Sequence, residues 1–277
     1  MAGSFVFVAM RAKLRRRHRV NASTRYPGLR MTPHRSFRPI LQCATAILAA
    51  TALLPAQRKQ QPIKIVLVGD STVATGGGWG PGFCALLARE AACVDDALNG
   101  RSSKSFLREG AWQRALSEKG QYYFIQFGHN DQKPDESRHT DPETTYPQTL
   151  RRYIKDVHAI GGVPILVSPL SRRNYKDGQL VEDGLAEYAA AARQLAAEEH
   201  VPFVDLYRLS QELLAGMTQQ QADRFDMQAH PDAKAENGSA TRPDRTHLNE
   251  YGKTVFGQMV ATEAKRVVPA LAPYVKD

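Results

Sequence analysis

Acidic residues are absent from the first 69 positions of this 277-residue chain, and the first one is Asp70. Residues 1–60 instead hold twelve of the 37 Lys and Arg residues, which leaves 25 basic and 28 acidic residues in the remainder. The formal net charge of +9 therefore belongs to a basic leader. Excess positive charge suggests a nucleic-acid or anionic membrane partner. Because only the leader is basic, we expect no nucleic-acid partner, although Arg15–Arg19 would suit an RNA-binding arm.

Long apolar runs are absent as well. The apolar stretch from Ile40 to Leu54 is short for a membrane-spanning helix and is interrupted by Gln and Thr. Basic residues precede it and Pro55-Ala56-Gln57 follows it, an order typical of a secretory signal. We therefore predict a leader and signal peptide in residues 1–60, with Met31 as an alternative start, a secreted or periplasmic location, and no stable membrane association.

Cysteine is scarce, and the signature of a zinc site is missing. Only Cys84 and Cys93 lie outside the leader, and the sequence has neither an H-E-x-x-H motif nor a cluster of Cys and His. We therefore expect no metal and no other cofactor. An oxidising compartment would permit a disulfide. One helix would separate the two Cα atoms by about 13 Å, so a bridge requires that helix to end near Ala91; two buried thiols are the alternative.

The 217 residues after the leader suffice for one sizeable domain and are short for two, so we assign residues 61–277 to a single domain. Strand and helix patterns alternate, which predicts a parallel sheet with helices on both faces. The segment from Met217 to Arg245 is polar and without periodicity, and we expect an irregular excursion there. The predicted strands are Ile63–Val68, Cys93–Leu98, Tyr122–Phe127, Val163–Val167 and Phe203–Leu206, and the predicted helices are Phe83–Glu90, Tyr146–Ile160, Glu182–Glu199, Leu206–Leu214 and Asn249–Val268.

Four short motifs carry polar residues at strand ends or just before a helix. They are V-G-D-S-T-V at 68–73, N-G-R-S-S at 99–103, F-G-H-N-D at 127–131 and D-R-T-H-L at 244–248. The carboxyl ends of parallel strands share one edge of a sheet, where ligand crevices open. Ser71 alone could cap a helix, and no Gly-Lys-Ser/Thr follows the glycines at 76–82 to form a phosphate loop. Together the four motifs indicate one active site.

The first and last motifs supply a nucleophile and the groups that would activate it. A serine hydroxyl needs a base to take its proton, and His247 is the candidate base for Ser71. Asp244, three residues before the histidine, could reach the imidazole across one turn, fix its tautomer and stabilise the imidazolium. We therefore predict a catalytic triad of Ser71, His247 and Asp244.

The middle motifs supply hydrogen-bond donors for an oxyanion. Three donors are expected at one sheet edge: the N–H of Ser71, the N–H of Gly100 and the side-chain amide of Asn130. Loop Gly and Asn residues ordinarily serve turns, but both of these follow strands that should end beside Ser71. We predict that the three donors form an oxyanion hole.

With these motifs the chain resembles the SGNH (GDSL-like) hydrolases, and more closely carbohydrate esterase family 12, the rhamnogalacturonan acetylesterases. The resemblance covers roughly residues 63–268 and rests on G-D-S-T-V, G-R-S-S-K-S-F, G-H-N-D-Q-K, P-I-L-V-S-P-L-S-R-R and D-R-T-H-L-N-E-Y-G. It implies a flavodoxin-like three-layer α/β/α sandwich with a five-stranded parallel sheet. It also implies a Ser-His-Asp esterase that removes acetyl groups from pectic polysaccharide.

The resemblance implies an acetylated polysaccharide or oligosaccharide as the substrate, and we expect the protein to be a monomer. Galacturonate carboxylates favour Arg and Lys near the site, and aromatic side chains could stack on sugar rings. We therefore place six loop residues at the substrate: Trp79, Arg101, Lys133, Arg172, Arg173 and Tyr175. Contact with solvent alone is the alternative for each basic residue, and Trp112, in a helical run, is expected in the core.

Two other functions stay open at this point. One is a different esterase activity, on acetylxylan or on a broad range of esters, or a lipase-like activity, which would require an apolar acyl channel instead of these polar loops. The other is a glycan-binding module without catalysis, which would have no need of a nucleophile, a base and oxyanion donors together. Release of acetate separates an enzyme from a binding module.

Overall fold

The computed structural model describes residues 61–227 and 244–276. The predicted leader, signal peptide and alternative start at Met31 lie outside these residues, as does most of the excursion predicted before Arg245. Within the described ranges, no helix combines the length and the apolar character needed to cross a membrane.

The secondary structure alternates between strands and helices, as the sequence predicts. In chain order the elements are β1 (Ile63–Gly69), α1 (Gly80–Ala85), β2 (Ala91–Asp95), α2 (Ser103–Arg108), α3 (Ala111–Ser117), β3 (Tyr122–Gln126), α4 (Thr145–Ala159), β4 (Val163–Val167), β5 (Tyr175–Lys176), β6 (Gln179–Leu180), α5 (Leu185–Glu198), β7 (Phe203–Val204), α6 (Leu206–Ala215), α7 (Gln219–Ala222), β8 (Asp226–Met227), β9 (Asp244–Leu248) and α8 (Glu250–Val267), with 3₁₀ turns at Asp223–Phe225 and Pro269–Tyr274.

Five of these strands form one parallel sheet in the order β2-β1-β3-β4-β7. The fold class predicted from the sequence is therefore confirmed. β7 has only two residues because Asp205 ends it and caps the next helix, where its side chain accepts the N–H of Arg208. β5 with β6, and β8 with β9, form two separate antiparallel pairs.

Alternate residues of the central strands pack into two different cores. Ile65 and Leu67 of β1 face the core that contains α8, whereas Val66 and Val68 face the core that contains α3, α4 and α5. Such strands are buried on both faces, which explains why β1 has a nearly continuous apolar sequence rather than an alternating one. Trp112 lies fully buried in the second core, as predicted. The sheet is thus the middle layer between two layers of helices.

The chain leaves β1 for β2 on one side and later returns as β3 on the other side. The loops that follow β1 and β3 therefore diverge at the carboxyl edge of the sheet. A crevice at such a topological switch point is where open α/β sheets bind ligands. Ser71 comes two residues after the end of β1, and the 127–131 motif directly follows β3.

The first helix is shorter than predicted, and its early end allows the two cysteines to meet. The sequence predicts Phe83–Glu90, but α1 ends at Ala85, because the residues after it pair with the C-terminal segment instead. The N–H of Ala88 donates to the carbonyl of Tyr274 at 2.8 Å, and Leu87 forms a bridge with Val275. The chain then doubles back into β2.

This reversal brings the two cysteines of the domain together. Cys84 and Cys93 form a disulfide, with their Cα atoms 5.7 Å apart. The bridge links α1 to the edge strand β2, and the alternative of two buried thiols is excluded.

The C-terminal helix contacts the first helix at backbone distance. A Cβ on Gly82 of α1 would lie 1.9 Å from the carbonyl oxygen of Lys253 in α8, and a Cβ on Gly257 would lie 2.4 Å from the backbone of Gly82. Only residues without a side chain allow this approach. Since α8 begins three residues after His247, the contact fixes the histidine segment relative to the loop that carries Ser71.

We expect the Cys84→Ser/Cys93→Ser variant to be less stable than the wild type by about 2–3 kcal/mol, because the bridge closes a loop of about nine residues in the unfolded chain. Urea denaturation without reductant measures the difference. Dithiothreitol should lower the wild-type midpoint to a similar extent and leave the double variant unaffected. Equal midpoints for the oxidised wild type and the variant would contradict this expectation.

Candidate active site

Three side chains from opposite ends of the described chain meet at the end of β1. Oγ of Ser71 lies 2.7 Å from Nε2 of His247, which belongs to β9. Nδ1 of the same imidazole lies 2.6 Å from Oδ2 of Asp244. All three residues are partly exposed. The structure therefore places the predicted triad residues in the hydrogen-bonding order serine, histidine, aspartate.

The histidine segment is a short strand, although its polar sequence suggests an irregular stretch. β9 pairs with β8, with Leu248 opposite Asp226. The N–H of Leu248 also donates to the carbonyl of Gly77 at 2.8 Å, and the N–H of His247 donates to Asp244 Oδ1 at 3.1 Å. Backbone hydrogen bonds to two different segments thus fix the position from which the imidazole projects.

The hydrogen bonds around Asp244 decide its charge. Burial raises the pKa of this carboxyl, but the hydrogen bond and charge of the His247 ring and the N–H groups of His247 and Thr246 outweigh burial and lower the pKa to about 2. Asp244 is therefore ionised at neutral pH and accepts a hydrogen bond from Nδ1. With its proton on Nδ1, the imidazole presents the lone pair of Nε2 to the Ser71 hydroxyl, the arrangement that a general base requires.

Gly77 lies in close contact with the same imidazole. A Cβ at this position would come within 2.8 Å of Cβ of His247 and within 3.2 Å of its ring carbon Cδ2. The preceding residue, Gly76, has ordinary space around it, since a Cβ there would meet Nδ2 of Asn99 at 3.7 Å. The histidine can approach Ser71 in this way because residue 77 has no side chain.

A chain of buried hydrogen bonds supports the loop that carries Ser71. Asp70 accepts the N–H and hydroxyl of Thr72 at 2.8 and 2.7 Å, Gln126 donates to the same hydroxyl at 2.7 Å, and Nε1 of Trp79 donates to Gln126 at 2.8 Å. All four side chains are fully buried. Burial raises the pKa of Asp70, an effect that the bonds from Thr72 oppose. These contacts fix the backbone on both sides of Ser71.

Gly100 and Asn130, the other predicted oxyanion donors, lie on neighbouring loops. The N–H of Leu98 donates to the carbonyl of Gly69 at 2.9 Å, so the Gly100 loop starts beside the end of β1. Gly100 has a φ of +77°, which glycine adopts readily. Nδ2 of Asn130 donates to the carbonyl of Arg101 at 3.1 Å, which joins the two loops.

Asp131 is a structural centre of the site that the sequence prediction misses. Its buried carboxylate accepts the N–H and hydroxyl of Ser103, the N–H of Gly128 at 3.1 Å and the hydroxyl of Thr140 at 2.8 Å. Burial raises the pKa of Asp131 to about 6, although the bonds from Ser103 and Thr140 lower it. The residue holds the Asn130 loop against the start of α2, and its position directly after Asn130 is the one signal for it in the sequence.

Two of the six predicted substrate residues do not reach the surface, and their predictions are wrong. Trp79 is 0% exposed and binds Gln126, so its ring cannot stack on a sugar. Arg173 is also 0% exposed and forms an ion pair with Asp226. Tryptophan and arginine often bind substrates at a surface. Here each forms a hydrogen bond or ion pair with a buried polar side chain instead.

The other four predicted substrate residues keep part of their surface exposed: Arg101, Lys133, Arg172 and Tyr175. Arg101 pairs with Glu109 at 2.9 Å, and Arg172 pairs with Asp183 at 3.3 Å. The hydroxyl of Tyr175 donates to a backbone carbonyl at the end of α6 at 2.7 Å, so only its ring is free for a ligand.

A surface pocket of about 410 Å³ lies between the loops that follow β1 and β2. Its polar lining includes Thr75, Asp95, Asn99 and Arg101. The Thr75 hydroxyl donates to Asp95 at 2.7 Å. Neither this pocket nor any other part of residues 61–227 and 244–276 groups three His, Cys, Asp or Glu side chains as a metal site would.

Comparison with known proteins reveals clear relatives. The family model described as GDSL-like Lipase/Acylhydrolase matches residues 67–255. The chain is 32% identical over 223 residues to the probable rhamnogalacturonan acetylesterase YesY of Bacillus subtilis, covering 77% of this chain and 98% of the relative. It is 33% identical over 216 residues to rhamnogalacturonan acetylesterase RhgT of the same species, covering 73% and 89%. The crystal structure of Axe2, an acetylxylan esterase from Geobacillus stearothermophilus, shares the fold with a TM-score of 0.54 at 18% identity, covering 73% of this chain and 94% of that one.

We expect Gly77→Ala to slow the reaction of Ser71 with the organophosphate diethyl 4-nitrophenyl phosphate about 10-fold to 100-fold, because the added methyl group displaces the imidazole from the serine. Release of 4-nitrophenolate measures the rate. Gly76→Ala, the matched control, should react like the wild type. A Gly77→Ala rate equal to that of Gly76→Ala and the wild type would contradict the importance of this contact.

Proposed function

We propose, since the chain belongs to the GDSL-like lipase/acylhydrolase family, that it removes O-acetyl groups from the pectic polysaccharide of plant cell walls. The chain is an esterase related to rhamnogalacturonan acetylesterases. The observation that carries the proposal is the continuous hydrogen-bonded chain from Ser71 through His247 to Asp244. The names of the two Bacillus subtilis relatives support the substrate class.

In the proposed reaction, Oγ of Ser71 attacks the acetyl carbonyl carbon while Nε2 of His247 takes the hydroxyl proton. Asp244 holds the imidazole and stabilises its charged form. The tetrahedral intermediate collapses when His247 gives the proton to the leaving sugar oxygen, which leaves an acetyl group on Ser71. Water then attacks this ester with His247 as base, and the bond to Oγ breaks to release acetate and restore the serine.

Three donors stabilise the negative charge that develops on the carbonyl oxygen in this proposal. They are the N–H of Ser71, the N–H of Gly100 and the amide of Asn130. The loops that carry them are held by buried hydrogen bonds, so the donors need little reorganisation when the charge forms. Loss of one such donor typically costs about 10²–10³ in kcat.

The surroundings of the site favour a polar glycan over a lipid. The pocket beside the serine loop is lined by polar residues such as Asp95 and Arg101 together with apolar ones such as Leu98, whereas a long acyl chain would require a continuous apolar channel. A binding module without catalysis is disfavoured, because Asp244 and Gly77 orient the histidine in a way that binding alone would not need.

A cluster of positive charge supports an acidic glycan in particular. Burial and the positive charges of Arg138 and Arg172 lower the pKa of Lys133. An anion beside Lys133 is attracted by its ammonium and by the guanidiniums of Arg138 and Arg172. Each guanidinium also pairs with a carboxylate, Arg138 with Asp135 and Arg172 with Asp183. Galacturonate supplies such an anion through its carboxylate, and xylan has fewer of them.

Export to an oxidising compartment is also part of the proposal. The disulfide between Cys84 and Cys93 supports it, since such bonds are rare in the cytosol of mesophiles. Cell fractionation tests this point, and recovery of the protein only from the cytoplasm would contradict it.

Ser71→Ala should abolish acetate release from acetylated rhamnogalacturonan, because without Oγ the acetyl-enzyme cannot form. An enzymatic acetate assay measures the loss, and thermal unfolding checks that the fold is kept. Ser117→Ala, in α3, is the control and should retain activity. Activity retained by Ser71→Ala would refute the mechanism, and a wild type inactive on every acetylated glycan would favour a binding module.

Arg101→Gln/Lys133→Gln should raise KM for acetylated rhamnogalacturonan several-fold and leave hydrolysis of 4-nitrophenyl acetate unchanged, because the acyl-transfer groups are untouched. Added salt should weaken wild-type binding of the polymer, since exposed charges are screened over about 10 Å near 0.1 M. Arg152→Gln/Lys155→Gln, with the same charge change on the exposed face of α4, is the control. Equal wild-type kcat/KM on acetylxylan would indicate a broad-specificity acetylesterase instead.

A further inference from the structure

We propose that Arg173 is a positioning residue for the reaction, whose buried guanidinium holds the strand that carries His247 and thereby sets the imidazole against Ser71. The inference rests on the proposed function, because it needs His247 to act as the base. The sequence predicts Arg173 at the substrate, but its side chain is fully buried. Its partners are therefore other residues of the protein.

The guanidinium of Arg173 spans the two strands of the histidine hairpin. Nε forms an ion pair with Oδ1 of Asp226 in β8, and Nη2 donates to the carbonyl of His247 in β9 at 2.9 Å. The side chains of Arg173 and Asp226 are 0% and 1% exposed. One rigid side chain therefore contacts both β8 and the backbone of the proposed base itself.

The main chain of Arg173 is attached to the same region. Its N–H donates to the carbonyl of Arg245 in β9 at 3.2 Å, and its carbonyl accepts Nε2 of Gln219 at 2.9 Å. The side chain of Arg245 pairs in turn with Asp223 at 3.0 Å. The residue thus binds β9 at two points on either side of Thr246.

The strand pairing alone is a weak support for this hairpin. β8 has two residues, and the register between β8 and β9 is irregular at Asp226 and Met227. A two-residue ladder leaves the His247 backbone dependent on other contacts. From outside the hairpin, the Gly77 carbonyl accepts the N–H of Leu248 and the Arg173 guanidinium donates to the carbonyl of His247.

Stability by itself does not explain this buried pair. Replacing a buried ion pair by apolar residues of similar volume is often neutral or stabilising, because both charges lose their hydration when they are buried. An arginine, unlike an apolar residue or a lysine, offers a planar set of donors that reaches two acceptors in fixed directions. The second acceptor here is the carbonyl of His247, so the arrangement fits control of the histidine position.

The first test is Arg173→Lys, which keeps the charge but lacks the planar set of donors that reaches both partners. We expect kcat on 4-nitrophenyl acetate to fall about 10-fold to 100-fold with KM little changed, because small displacements of a catalytic group are costly. Labelling of Ser71 by diethyl 4-nitrophenyl phosphate should slow by a similar factor. Arg193→Lys is the matched control. Arg193 lies on α5, outside the site, and donates to Asp205 through Nε and Nη2.

The labelling experiment separates failure of this inference from failure of the proposed function. A wild type that is not labelled at Ser71 would refute the proposed mechanism. A wild type that is labelled, together with Arg173→Lys labelled at the same rate, would overturn the role of Arg173 alone. Mass spectrometry of the labelled peptide identifies the site in each case.

The double variant Arg173→Met/Asp226→Leu decides the question if Arg173→Lys folds poorly. It removes both buried charges, so its thermal midpoint should lie near that of the wild type. We expect its kcat and its labelling rate to stay low, because the His247 carbonyl has lost its donor. Recovery of kcat together with stability would show that the ion pair serves the fold only, and would overturn the inference.

Discussion

The hydrogen bond between Nε2 of His247 and Oγ of Ser71 joins residues 176 positions apart, and it forms only if the end of the domain returns to its first strand. The close contact of Gly82 with Gly257 brings α8 against α1, which follows the serine loop. The bond from Leu248 to Gly77 connects the same two regions directly. A general base must lie within hydrogen-bonding distance of its proton donor, so the packing of these two ends is a condition for the proposed catalysis as much as for folding.

Buried carboxylates hold the loops from which the proposed donors project. Asp70 fixes the turn after β1 and Asp131 fixes the loop after β3, each by accepting several N–H and hydroxyl groups. Buried acids are costly unless such bonds compensate them, and these bonds restrict the motion of both loops. The proposed oxyanion donors Gly100 and Asn130 therefore belong to loops with little freedom to move. Rigid donors in fixed directions are what stabilisation of a transient charge requires.

The sequence predicts the parallel sheet and the motifs that follow its strands because both are marked by local patterns. Apolar runs mark the strands, and parallel strands must end at one edge, where Ser71 and the motif with Asn130 follow. The wrong predictions concern residues whose partners are distant in sequence. Trp79 looks like a sugar-binding residue until Gln126 is known to lie beside it, and α1 is shorter than predicted because Ala88 binds Tyr274. Burial and long-range pairing decide these cases, and neither leaves a local pattern.

In the proposed function, the neighbouring arginines Arg172 and Arg173 would act separately, the first on substrate binding and the second on the reaction step. The two side chains leave this segment in different directions. Arg172 accordingly lies near the surface against Asp183, close enough to Lys133 to contribute to the positive cluster, whereas Arg173 enters the interior beneath His247. A substitution of the first should act on binding of a charged substrate, and a substitution of the second should act on the reaction step for any ester. Changing both at once would mix two effects with different physical origins, so Arg172 must be changed alone to test its role in substrate recognition.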